Sequence, residues 1–148
     1  MELSAIRPRG VAGLALVDRS PAGVLLHDHI LFWQPPEIGV RAGQSCHTAA
    51  RIAARRWWGL PDAQVARTVG TPWVRTPAAA DPGRVERRLL LVMLPPGTPR
   101  PPAGPGTAWW PLARLLAGEA ATRPAELPAF LDGYLQGVLP DGRQALEW

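Results

Sequence analysis

WQPPEIGVRAGQSCHTAARIAARRWWGL, residues 33–60, contains a complete set of local folding instructions. Pro35-Pro36 stops regular strand pairing, because proline has no N–H to give a sheet ladder. Residues 37–44 then read as a loop, punctuated by Gly39 and Gly43. Ser45 has the side chain wanted at a helix N-cap, and Gly59 stands where a left-handed C-cap residue would end the helix after Trp58. Between them Ala49, Ala50, Ile52, Ala53 and Trp57 mark a broad apolar face at helical spacing, while Arg51 and Arg55 lie together elsewhere. So many alanines let a helix lie close to a sheet. Glu37 is the only carboxylate in the stretch, and it precedes the helix.

Working outward, Gly10 to Asp18 (GVAGLALVD) has the apolar character of a buried strand. The Ser20-Pro21-Ala22-Gly23 cluster turns it into a second apolar run, VLLH, so a hairpin is expected. His27-Asp28-His29 is read as continuing extended toward Ile30-Leu31-Phe32-Trp33. Beyond the helix, Gln64 to Thr71 and Trp73 to Thr76 are weaker strand candidates interrupted by Pro72, and Val85 to Leu94 is the strongest strand pattern of the chain. PPGTPRPPAGPG is stiff, extended backbone that builds no core of its own, and is read as a surface loop near the site. Trp109-Trp110-Pro111 is expected to open a short helix, LARLLAG. A last amphipathic helix is expected from about Pro124 to Val138, with Leu127, Phe130, Leu131, Tyr134, Leu135 and Val138 at spacings of three and four. Strands interleaved with three helices predict an α/β (α+β) chain, a mixed sheet covered by helices on both faces.

At 148 residues the chain is read as a single domain spanning 1–148, long enough to bury roughly 70% of its unfolded surface. Cys46 is the sole cysteine, so no internal disulfide forms, and a reduced cytoplasm is the expected location. Apolar runs such as Leu89 to Met93 fall far short of the roughly 20 residues of a membrane span, and MELSAIRPRG lacks a signal-peptide core. Net charge is +4, yet all 16 basic residues are arginine, scattered except at Arg55-Arg56 and Arg87-Arg88. With no lysine or asparagine and abundant Pro, Gly and Ala, the pattern is that of a GC-rich coding sequence, and nucleic acid is not an expected partner.

Residues 33–60 resemble the Nudix box and the tryptophan-proline approach to it, the signature of a family that usually cleaves nucleoside diphosphates linked to another group. Val40, Gly43, Ser45, the alanine-rich helix and Gly59-Leu60 fall in register with the box without a gap. RGVAGLALVDRSPAGVLLHD resembles the family's first strands, and TAWWPLARLLAG its late Trp-Pro-Leu segment, so the similarity covers roughly residues 7–120. The resemblance implies the Nudix fold, a mixed sheet sandwiched between helices. In active members, helix glutamates three and four apart converge to hold magnesium against a diphosphate. Here Ile38 stands at the first box glycine, Gln44 at the first glutamate, Ile52 at the arginine, and Ala53, Arg56 and Trp57 at the later glutamates; Arg41 stands at a loop position that often carries a carboxylate. Alanine, arginine and tryptophan offer a hard cation no anionic oxygen. No metal site and no cofactor are therefore expected.

Several residues remain candidates for a changed site. Arg41, Arg55 or Arg56 and the helix N-terminus near Ser45 can meet an anion directly, Gln44 is a further ligand-binding candidate, and Trp33, Trp57, Trp58 and Trp110 offer flat apolar surface for a ring. His27 and His29 flank Asp28 and project to one face if the segment is extended; with Glu37 they are acid-base candidates. Cys46 falls in the first helical turn, where the dipole favours a thiolate, but neighbouring His47 points about 100° away. Each also has a plainer reading, as a solvated loop acid, a rim imidazole or a surface-packed Arg–Trp pair.

The first functional reading is a Nudix-fold protein that has lost magnesium-dependent hydrolysis and binds a small organic ligand, anionic in one version, as a sensor or pathway accessory. The second is an enzyme of metal-independent acid-base chemistry, an isomerisation, cyclisation or ring-opening, using Glu37, Asp28, His27 or His29, with Cys46 as a further candidate; residual hydrolysis stays as a further alternative. The third is an interaction module whose cleft its own tryptophans fill. A homodimer is one option for assembly.

Overall fold

The computed structural model describes residues 10–72 and 86–148. In chain order its elements are β1 (Gly10–Arg19), β2 (Ala22–Asp28), β3 (Trp33–Gln34), β4 (Glu37–Val40), α1 (Cys46–Trp58), β5 (Gln64–Pro72), β6 (Glu86–Met93), β7 (Thr107–Pro111), α2 (Leu112–Leu116), α3 (Leu127–Leu135) and β8 (Gly142–Leu146). The strand candidate at 73–76 lies outside the described residues, as do Val85 and the loop that precedes it.

The eight strands form one mixed sheet. Its main path runs β3-β2-β1-β6-β5-β8, with β4 on β1 and β7 on β2. β1 and β6 pair in parallel at its centre, from Gly10 opposite Glu86 to Val17 opposite Met93. A central strand is buried on both faces, which is why these two read as unbroken apolar runs. The pleat sorts their side chains. Leu14, Leu16, Leu90 and Val92 face a first core closed by α1, whereas Ala15, Val17, Leu89 and Leu91 face a second core closed by α2 and α3. Helices thus cover both faces, as the sequence implies.

Helix α1 has the ends its sequence specifies. Ser45 Oγ accepts the Thr48 N–H at 3.0 Å, and Gly59, at φ 63°, donates to the Arg55 carbonyl while Leu60 donates to that of Ala54. Its Ala49, Ala50, Ala53 and Ala54 are buried on the sheet. His47 ties the same helix to β5, its Nε2 lying 3.0 Å from the Ala66 carbonyl oxygen.

Four expectations are corrected. Residues 37–40 are not loop but strand β4, which pairs antiparallel with β1 from Glu37 opposite Gly13 to Val40 opposite Gly10, so the loop before α1 is only the second half of that stretch. The segment after β2 does not stay extended: His29 N–H donates to Phe32 O and Leu31 N–H to His29 O, a tight turn with Ile30 at φ 73°. Trp109 and Trp110 do not belong to a helix; they lie in β7, opposite Leu25 and Val24, and α2 starts only at Leu112. The last helix is shorter than its apolar pattern, and the chain beyond it returns as β8, parallel to β5. Gly70 makes that return close, because a Cβ there would lie 2.7 Å from Leu146 Cδ1 and 3.0 Å from Leu89 Cβ. None of the described helices is long and apolar enough to cross a membrane.

Candidate functional site

A cleft of about 510 Å³ opens where the C-terminal end of α1 faces the far end of β2. Trp57 and Trp58 supply one wall, their rings in edge-to-face contact at 5.7 Å. Leu25 and His27 of β2 form the floor, with His29 from the following turn, Gln34 of β3, and Pro36 and Glu37 at the start of β4. The proline-rich loop closes the other side through Pro102 and Gly104, next to Thr107 of β7. The size suits a small molecule, and the lining is mostly apolar with a few convergent polar groups.

Strand register explains how distant residues meet. His27 is opposite Gln34 on one side and Thr107 on the other, so three polar side chains share one end of the sheet. The turn after Asp28 brings His29 back beside His27, with ring centroids 6.4 Å apart. Phe32 stacks on the His29 ring at 5.0 Å and nearly parallel, which fixes its plane. Glu37 accepts a 2.7 Å hydrogen bond from Arg87 Nη1, so its carboxylate is already ion-paired.

The loop wall is anchored as well. Thr107 donates through both its N–H and its hydroxyl to Gly104 O, and Trp109 Nε1 donates to Pro101 O at 2.9 Å. Arg100 lies over the Trp109 ring, 4.7 Å from its centroid. Pro102 and Gly104 are therefore held as a wall.

Of the residues singled out in the sequence, the structure brings His27, His29, Glu37, Trp57 and Trp58 to one cleft. It does not bring the others. Asp28 faces away, its Oδ1 accepting the Ile30 N–H in the turn. Arg41 and Gln44 close on each other, Arg41 N–H donating to Gln44 Oε1 and Gln44 N–H to Arg41 O, so the glutamine shapes the loop before α1. Cys46 packs half-buried against the first core. Arg56 is exposed on α1 and does not line the cleft. Trp33 and Trp110 meet edge to face at 5.4 Å over the second core, on the opposite side of the sheet from α1.

Leu25, Gln34, Pro36 and Thr107 were not anticipated as lining residues, whereas Pro102 and Gly104 belong to the proline-rich loop expected near the site. Finding Gln34 and Thr107 required the pairing of β2 with both β3 and β7, and nothing local in TAWWP distinguishes its strand from a helix start.

No protein-family sequence model matches the chain. No curated protein sequence matches it either. Structures do. A Nudix hydrolase from M. smegmatis, RenU, superposes with a TM-score of 0.59 at 19% identity over 87% of each chain. The Ap4A hydrolase of C. elegans gives 0.59 at 16% identity, covering 88% of this chain and 98% of that one. A chain of the complex between the C-terminal domain of mouse MUTYH and human PCNA gives 0.54 at 16% identity, over 89% and 92% of the two chains. This chain therefore has the Nudix fold, a large mixed sheet with few helices.

Proposed function

We propose that this Nudix-fold chain binds a small organic ligand between Trp57, Trp58 and the β2 end of the sheet, and does not perform magnesium-dependent diphosphate cleavage. The observation that carries the reading is the chemistry of α1 at its cleft end. Where the Nudix-box resemblance would place carboxylates, Ala53 is buried against the sheet, Arg56 points to solvent, and Trp57 presents an aromatic face to the cleft. Among the described residues no three His, Cys, Asp or Glu side chains gather as a metal-holding group. The donor set does not fit magnesium, which takes near-octahedral oxygen ligands.

Two indoles, one leucine and two prolines favour a ring or other flat apolar body, oriented by Gln34, Thr107 and the two imidazoles. Arg41 and Arg56 stay outside the cleft, so the ligand is recognised there by stacking and hydrogen bonds rather than by guanidinium contacts. Trp57 borders open space instead of filling it, which favours a binding site over a cleft plugged by its own side chains.

A second reading, metal-independent acid-base catalysis, is favoured by one arrangement: His27, His29 and Glu37 all face the same cleft. An imidazole ring carries both a donor and an acceptor nitrogen and can pass a proton either way.

The test is native mass spectrometry of protein purified from its own host. A co-purifying small molecule present in wild type and lost in Trp57→Ala supports the reading. Magnesium- or manganese-dependent cleavage of nucleotide sugars, ADP-ribose or dinucleotides would overturn it.

A further inference from the structure

A second, larger cleft of about 770 Å³ lies at the other end of β1, where the C-terminal ends of β1 and β6 meet the start of β5. Arg19 closes β1, Arg51 projects from α1, and Arg67 projects from β5, all three exposed and all lining this cleft. Met93 to Pro96 form its back, and Tyr134 of α3 stands at one side with Arg19 over its ring, 5.8 Å from the centroid. Asp62 and Asp141 complete the rim.

The ion pairs of the described residues join Arg87, Arg88, Arg100 and Arg114 to carboxylates; Arg19, Arg51 and Arg67 are not among them. Asp62 and Asp141 form no ion pair with them among the described residues. Three arginines thus line one concavity with no ion pair among the described residues, a formal excess of one positive charge over the two aspartates. Guanidinium groups bind phosphate oxygens through paired, charge-assisted hydrogen bonds. A ring beneath Arg19 holds that group in place.

We infer that this cleft is a binding site for a small phosphorylated molecule bearing hydroxyl groups, held by Arg19, Arg51 and Arg67 through its phosphate and by Asp62 and Asp141 through its hydroxyls. It is independent of the tryptophan cleft. The arginines set affinity for the phosphate. The aspartates oppose bare anions and select ligands that bring donors, because an ionised carboxylate only accepts hydrogen bonds.

Isothermal titration calorimetry tests it, with inorganic pyrophosphate, glucose 6-phosphate and glucose as probes. Wild type binds glucose 6-phosphate and not glucose, and affinity falls as salt is raised. Arg51→Ala and Arg67→Ala each weaken binding about tenfold; Arg114→Ala, which removes the same charge from α2, leaves it unchanged. Asp141→Ala weakens glucose 6-phosphate but tightens pyrophosphate. These arginines are exposed, so unchanged thermal melts confirm that the variants fold. Two results overturn the proposal: neither phosphate binding at millimolar concentration, or equal affinity in wild type and both arginine variants. Binding of single-stranded RNA lost in the same variants, with no uptake of either small phosphate, also overturns it.

Discussion

Arg100 Nε donates a 2.7 Å hydrogen bond to Asp18 Oδ2 while its Nη2 donates to Pro21 O at 2.8 Å, pinning the proline-rich loop to the β1–β2 hairpin. The clamp also leaves a titration signature. Burial alone would raise the Asp18 pKa, but hydrogen bonds from Arg100 and the backbone N–H groups of Ser20 and Arg19, together with the Arg100 charge, hold it below its ordinary value. A carboxyl with a depressed folded-state pKa contributes stability that is fully present above its unfolded value of about 3.9, and loses it as pH falls through the folded value. Arg100→Ala is therefore expected to cost about 1–2 kcal/mol near neutral pH, through the lost ion pair and the lost contact with Trp109. That cost should shrink as pH drops below about 4. Urea unfolding of both proteins across acid pH checks it; a penalty that does not change with pH refutes the linkage.

Trp57 and Trp58 are adjacent yet expected to behave differently. Trp57 is 41% exposed and faces the cleft, whereas Trp58 also packs against the first core. Trp57→Ala should change stability by no more than about 1 kcal/mol and weaken cleft ligands at least about tenfold. Trp58→Ala should cost about 2 kcal/mol of stability besides. Comparing urea midpoints with ligand retention separates the two roles.

Much of this was legible because local and global signals agree. Ser45 and Gly59 announce the ends of α1 by side-chain chemistry and by backbone freedom, and both act within one turn. The parallel pair β1 and β6 announces itself by apolar density, since strands buried on both faces need no alternation. What could not be read is what depends on register between distant segments. Trp109-Trp110-Pro111 is apolar and short, so it suits a helix start or a strand equally; its pairing with β2 is a tertiary choice. The turn at Ile30 was missed because a β-branched residue at positive φ is rare, and only its Asp28 cap hints at it. Likewise Gln44 reads as a ligand group until its Oε1, accepting the Arg41 N–H, shows that it shapes the loop before α1.

Gly70 is a position where a methyl group should matter. Its Cβ would meet Leu146 Cδ1 of β8 on one side and Leu89 Cβ of β6 on the other, and the Leu89 Cβ is held by the central strand's backbone. Gly70→Ala is expected to destabilise the protein by about 1–3 kcal/mol through overpacking. Leu146→Ala opens that space, so the double variant should lose less than the sum of the two single losses. Strict additivity in urea melts would show that β8 does not press on β5 as described.

Replacing Ala53 with glutamate puts back one acid of the box-like helix, and the structure gives a reason to expect no gain of metal chemistry. Ala53 is 5% exposed and packed among Ala49, Ala50 and the leucines of β1 and β6. A carboxylate there would sit among apolar core residues and carry a desolvation cost that an alanine does not. Ala53→Glu should therefore lower stability by more than about 3 kcal/mol, far beyond the effect of an exposed substitution. Arg56→Glu, on the solvent side of the same helix, should change it by less than about 1 kcal/mol. If Ala53→Glu instead folds with near wild-type stability and gains stability from added magnesium, residue 53 faces a polar site and the packing of α1 on the sheet is looser than described. Thermal melts of both variants with and without magnesium decide between these outcomes.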